Sequence, residues 1–208
     1  MKDYKELSRK EFDKEADKFD QEQGMNIYKM CEKGYSYLID EVKKEQFHSL
    51  LDVGCGTGNT ITLLNDQFPN KKYTGMDLSE NMIKVAKKKN ISNALFMTGD
   101  AENMPFKDNE FDVIVCKESF HHYPNVEKFF KECYRILKKR GRLIIMDVEP
   151  PVEIIRWIYN HFLLHLMNTG DVHVYNIAET ENLYRSNGFK LECGKKVDSM
   201  RFICSGIK

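Results

Sequence analysis

Three alternate glycines, Gly54, Gly56 and Gly58, follow a short apolar run and precede a helix-forming stretch. Glycine there permits a tight turn and lets a ligand approach the backbone without meeting a Cβ. In dinucleotide-binding turns the pattern is G-x-G-x-x-G, with a pyrophosphate at the helix N-terminus. Gly54 and Gly56 fit that pattern, but the third glycine arrives one residue early and Asn59 occupies its place. An acid, Asp52, also stands two residues before the turn. A carboxylate there would repel a pyrophosphate and attract an ammonium group. Spacing and charge together favour a cationic, amino-acid-bearing cofactor over NAD.

Two more acids stand at the ends of later apolar runs. Asp77 ends a second apolar run about 20 residues on, where an acid accepts hydrogen bonds from ribose hydroxyls. Asp100 follows a third run. Each has a plainer reading: the glycines as a tight connection, Asp77 and Ser79 as a helix cap, Asp100 as the start of a turn. His121 and His122 come after a fourth run and Asp147 ends a fifth; His122 or Asp147 could act as a base, or be structural. His161 and His165 have metal-ligand spacing on a helix but no third ligand, so no metal is expected.

The elements that must hold these residues alternate regularly. Strands are expected at 49–53, 72–76, 94–98, 111–116 and 142–148, with helices at 59–67, 80–89 and 126–138, the last closed by Gly141. A helix at 177–186 is followed by strands at 189–197 and 200–207, whose short gap at Asp198-Ser199 permits only a hairpin. Such alternation implies a parallel sheet with right-handed crossovers. The fold class is therefore α/β, a Rossmann-like doubly wound seven-stranded sheet, mostly parallel with a C-terminal antiparallel hairpin. Residues 1–48 carry two helical stripes (Phe12, Ala16, Phe19; then Ile27, Cys31, Tyr35, Leu38, Val42) and are expected to join the domain at 49–208, with a lid role open.

With 32 basic and 32 acidic side chains the chain has no net charge, which disfavours a nucleic-acid partner. No apolar run approaches the ~20 residues of a membrane span, and the charged start lacks a signal-peptide centre, so a cytoplasmic location is expected. Six scattered cysteines without a Cys-x-x-Cys pair read as small apolar fillers.

The segments Asp52-Val53-Gly54-Cys55-Gly56-Thr57-Gly58, Tyr73 to Met82, and Gly99-Asp100-Ala101-Glu102-Asn103-Met104-Pro105-Phe106 come in order. So do Phe111 to Cys116, His121-His122 and Leu137 to Leu143. Together they resemble the UbiE/type-11 group of class I methyltransferases. The resemblance implies S-adenosylmethionine as cofactor and a small-molecule methyl acceptor attacked in line at the sulfonium methyl.

It also implies roles. Gly54, Cys55, Gly56 and Gly58 pass beneath the methionine and ribose, Asp52 receives the α-ammonium, and Asp77 the ribose hydroxyls. Leu78 and Met82 pack on adenine, Asp100 and the Ala101 N–H read its edge, and the backbone at Cys116 and Lys117 closes the methionine side. The family often has a tyrosine where Phe19 stands. Nucleobase amine methylation is disfavoured, because Lys117-Glu118-Ser119-Phe120 replaces the Asn/Asp-Pro-Pro-aromatic run of such enzymes. No catalytic group stands out, as alignment and water exclusion alone can supply ~7–11 kcal/mol. The aromatic-rich segment 150–175 is expected to cap a partly apolar acceptor or to be ordinary core. A non-catalytic S-adenosylmethionine-binding protein and a nicotinamide-dependent reductase are the alternatives.

Overall fold

The computed structural model describes residues 2–21, 34–166 and 169–208, apart from the side chain of His165. Ile27 and Cys31 of the second N-terminal stripe, and Met167 of the aromatic-rich segment, lie outside the described residues.

Helix α1 (Tyr4–Glu15) is followed by a short 3₁₀ turn and, further on, by α2 (Tyr35–Val42). The alternating part then runs β1 (Ser49–Val53), α3 (Asn59–Gln67), β2 (Lys72–Asp77), α4 (Glu80–Lys88), β3 (Ala94–Thr98), β4 (Phe111–Lys117), α5 (Val126–Ile136) and β5 (Leu137–Val148). Helix α6 (Glu153–Ile158), α7 (Ile177–Ser186), β6 (Lys190–Lys196) and β7 (Arg201–Ile207) complete it.

The seven strands form one sheet in the order β3-β2-β1-β4-β5-β7-β6. The first five pair in parallel, whereas β7 inserts antiparallel between β5 and β6. Order reverses between β1 and β4, and the carboxyl ends of strands at such a switch point leave a crevice for a ligand. Strand alternation divides the core. Leu51, Val53, Ile114, Cys116, Leu143 and Ile145 face α5 and α7, while Leu50, Val113, Val115, Ile144 and Met146 face α2, α3 and α4. Cover on both faces explains why these strands read as continuous apolar runs.

Caps set the helix starts beside the crevice. Ser79 Oγ accepts from Met82 N at 3.1 Å to start α4, and Asn125 Oδ1 accepts from Lys128 N at 3.0 Å to start α5. Most boundaries fall within one residue of the sequence expectation, and the junction of α5 and β5 differs more. Helix α5 stops at Ile136, not Lys138, because Leu137 already pairs with Phe111; a bulge then precedes the resumed pairing of Arg142 with Val113.

Candidate functional site

The glycine turn is fastened to β2: Gly54 N and Cys55 N both donate to the Met76 carbonyl, at 2.8 and 3.1 Å. Gly54, Gly56 and Gly58 all have positive φ, at 71°, 52° and 81°. What surrounds them differs. A Cβ on Gly54 would lie 1.9 Å from Ser119 Oγ, and one on Gly58 would lie 2.9 Å from the Phe96 ring. A Cβ on Gly56 would meet nothing within 4 Å. Packing therefore demands the outer two glycines, and the middle one is the open floor of the cleft.

Asp77 closes one end of that floor. Its Oδ2 accepts from Gly56 N at 2.8 Å and its Oδ1 from Ser79 N at 2.9 Å, leaving further lone pairs for a ligand. Burial pushes its carboxyl above the ordinary range. Asp52 is 1 % exposed, and its Oδ2 has no hydrogen-bond partner. Burial, and then the charge on Asp77, push its pKa up to about 7. An acid raised by burial and a neighbouring acid, beside a cleft, marks a functional-site candidate.

The cleft is lined by Gly54, Cys55, Gly56, Asp77, Leu78, Met82, Asp100, Ala101 and Lys117, nine of the twelve residues singled out from the sequence. Asp52 lies behind the lining, Gly58 stands at the N-cap of α3 against Phe96 and Ala86, and Cys116 is buried with its Sγ 3.6 Å from the Tyr123 hydroxyl.

The roof comes from the N-terminal region, whose lid role the sequence leaves open, but Lys5, Ser8 and Arg9 are not singled out there. Lys5, Ser8, Arg9 and Phe12 of α1 line the cleft, and their i, i+3, i+4, i+7 spacing was the available signal. Lys5 Nζ reaches Asp100 Oδ2 at 2.7 Å and Glu102 Oε2 at 2.6 Å. Asp13 Oδ1 accepts from Ser79 Oγ at 2.6 Å, and Asp20 Oδ1 accepts from Thr57 Oγ1 at 2.6 Å. Also unforeseen were Ser119, Tyr123 and Pro124 in the wall after β4, where Ser119 Oγ and the Tyr123 hydroxyl lie 2.6 Å apart. Phe19 does line the cleft.

His122 stands in the same wall, with Phe12 edge-on at 5.1 Å between ring centroids. Burial and then its neighbour His121 lower its pKa. Burial would also lower His121, but the Asp147 carboxylate outweighs it and holds the imidazole at about 9. Asp147 is 2 % exposed and accepts from His121 N at 3.0 Å, with its other oxygen 2.7 Å from His121 Nδ1. It thus orients His121 and does not face the cleft.

The aromatic-rich segment behaves differently from the expected cap. None of its described residues lines the cleft. Trp157 and Phe162 are exposed, Tyr175 packs on Phe120, and His161 bonds the Trp157 carbonyl and stacks on its ring.

Comparison with known proteins agrees with this arrangement. The family described as "Methyltransferase domain" matches residues 51–145. The demethylmenaquinone methyltransferase of Thermotoga maritima is 30% identical over 180 residues, covering 83% of this chain and 78% of that protein. A phthiotriol/phenolphthiotriol dimycocerosates methyltransferase of Mycobacterium ulcerans is 38% identical over 109 residues, 52% of this chain and only 40% of that protein. The crystal structure of a SAM-dependent methyltransferase from Aquifex aeolicus superposes with a TM-score of 0.72 at 20% identity, covering 94% of this chain and 97% of that one. The chain belongs to the class I S-adenosylmethionine-dependent methyltransferases.

Proposed function

We propose that the protein moves the methyl group of S-adenosylmethionine to a largely apolar small molecule bound against Phe12, His122 and Tyr123. The observation that carries this reading is the open floor at Gly56 with acids at both ends. Asp52, whose buried Oδ2 has no hydrogen-bond partner, suits the methionine ammonium, and Asp77 retains lone pairs for both ribose hydroxyls. Leu78 and Met82 offer apolar surface to adenine, with Asp100 and the Ala101 N–H at its edge. The backbone at Lys117, reached from β4 through Cys116, borders the methionine end.

When bound, the cofactor supplies an electrophilic methyl on a good leaving group. The chain's task is to align the acceptor and exclude water. Helix α1 and the turn that follows it serve the second purpose as a lid on the domain at 49–208, tied to it by Lys5, Asp13 and Asp20. Each tie is polar and partly exposed, so each contributes about 1 kcal/mol or less. Lys5→Met combined with Asp13→Ala should raise the cofactor's dissociation rate by up to about tenfold with little change in melting temperature. Stopped-flow displacement checks this; an unchanged rate would remove the lid.

Two relatives are named for acceptors with long apolar parts, a demethylmenaquinone and a phthiotriol dimycocerosate. The apolar walls at Phe12, Phe19 and Tyr123 suit that class. Turnover against prenylated hydroquinones, long-chain hydroxy-lipids and polar amines, read as S-adenosylhomocysteine formation, tests the proposal. Turnover of the amines alone would overturn it.

Asp52 makes the binding pH-dependent. Its folded pKa of about 7 lies above the ordinary carboxyl value, so the folded state without ligand holds a proton the unfolded chain has lost. That contribution to stability is complete below the unfolded value and lost as pH rises through about 7. Cofactor affinity runs the other way, because the ammonium needs the ionised acid. Calorimetry should show binding tightening by about tenfold at most between pH 6 and 8, and Asp52→Asn should flatten the profile.

A further inference from the structure

Two imidazoles and a carboxylate converge beside the acceptor end of the cleft, and no step described so far uses all three. Asp171 Oδ1 lies 3.0 Å from His122 Nδ1 and 3.8 Å from His121 Nε2. One ligand atom from each of the three residues falls within 4.8 Å of the others. We propose that His121, His122 and Asp171 bind a divalent first-row transition ion of the zinc class.

The spacing suits such an ion. With bonds of about 2.0–2.1 Å, neighbouring ligand atoms on a tetrahedron stand about 3.3 Å apart, between the two separations observed. Imidazole nitrogen with carboxylate oxygen is the donor set of zinc, iron(II) and their neighbours, not of magnesium or calcium.

The surroundings leave the converging atoms free to bind. His121 Nδ1 faces Asp147 Oδ1 at 2.7 Å, so when an ion displaces the Nε2 proton, Nδ1 keeps its own and the Nε2 lone pair turns toward Asp171. Asp171 Oδ2 accepts from the Tyr159 hydroxyl at 2.7 Å and the Thr169 hydroxyl at 3.0 Å, leaving Oδ1 inward. A carboxylate behind a histidine ligand and hydroxyls behind a carboxylate ligand are the outer partners that orient metal sites.

The third observation concerns His122 Nδ1. It is buried and has no aligned hydrogen-bond partner, although Asp171 Oδ1 is only 3.0 Å away. A nitrogen–oxygen separation of 3.0 Å is an ion-pair distance, and it is also close to the spacing of two ligands about one ion. Nearby on α1, Glu11 Oε2 is likewise buried without a partner, which adds an acid able to favour a cation. The ion would join the turn after β4 to the segment carrying Asp171, one imidazole away from the cleft.

Binding of the ion stands apart from the methyl-transfer reading and is measured without cofactor or acceptor. The untagged full-length chain, treated with chelator, is titrated with cobalt(II). One equivalent should produce visible ligand-field bands and raise the melting temperature, and zinc(II) should displace it. Asp147→Asn should weaken cobalt by about 10–100-fold, the effect of losing an outer partner. Asp171→Asn and His121→Ala should abolish the bands while S-adenosylmethionine still binds, which certifies the fold. Absence of bands and of any melting shift in the wild-type chain would overturn the proposal, leaving an ion-pair network. So would bands undiminished in both variants. Loss of S-adenosylmethionine binding by the wild-type chain would instead undo the reading of the cleft.

Discussion

Replacing Asp77 by Asn should weaken S-adenosylmethionine binding by about 1.5–3 kcal/mol, or roughly 10- to 150-fold in Kd. The side chain keeps its size but loses its charge and one acceptor oxygen. In the wild-type chain both oxygens already accept from backbone, Gly56 N at 2.8 Å and Ser79 N at 2.9 Å. Asn can accept at only one of them, and the other N–H then faces an amide NH₂. Ribose hydroxyls would lose their charged partner at the same time. Isothermal calorimetry measures the Kd, and the melting temperature shows that the turn still folds. An unchanged Kd in a folded variant would mean that no ribose sits at Asp77, and the cleft reading would fail with it.

Gly54→Ala should be the more damaging change to the fold. The residue has φ of 71°, where a Cβ costs about 1–2 kcal/mol. That Cβ would also lie 1.9 Å from Ser119 Oγ and 2.5 Å from Ser119 Cβ, so the wall after β4 must move. Forcing an atom into a packed site costs a further ~1–3 kcal/mol. The sum, about 2–5 kcal/mol, corresponds to a fall in melting temperature of roughly 5–15 °C for a chain of this size. Ser119→Gly in the same chain should recover the steric part and leave the backbone part. If the double variant melts no higher than Gly54→Ala alone, Ser119 does not set the glycine requirement. Gly56→Ala offers the contrast, with no protein atom within 4 Å of its Cβ. It should lower cofactor affinity more than stability.

Much of the site was legible in the sequence for local reasons. A strand ending in alternate glycines, a second ending in Asp77 before the Ser79 cap, and a third ending before Asp100 are short-range signals. Parallel pairing brings the ends of β1 and β2 together in register and sets β3 beside them. Helix α7 and the hairpin were readable for the same reason, the hairpin from the gap at Asp198-Ser199, and the structure adds a capping box at Asn176. Where a boundary moved, as at the start of β5, a cross-strand pair between Leu137 and Phe111 overrode the helical pattern.

Long-range groupings were not readable, since spacing along the chain says nothing about side chains that meet through the fold. The sequence assigned Asp52 and the backbone at Cys116 to the cofactor, and only the fold shows that both side chains are buried and that Asp52 Oδ2 has no hydrogen-bond partner. The same alternation turned Asp147 toward His121 and away from the cleft. The segment 150–175 was expected either to cap the acceptor or to be ordinary core, yet it touches the site through Asp171 against His122, while Trp157 and Phe162 are exposed. Local propensity and strand order therefore determined the fold and the cofactor cradle. Tertiary packing decided the roof at Lys5 and Phe12 and the cluster at His121, His122 and Asp171. Among those contacts, Lys5 and Glu102 stand 97 positions apart, and no periodicity in the sequence encodes that meeting.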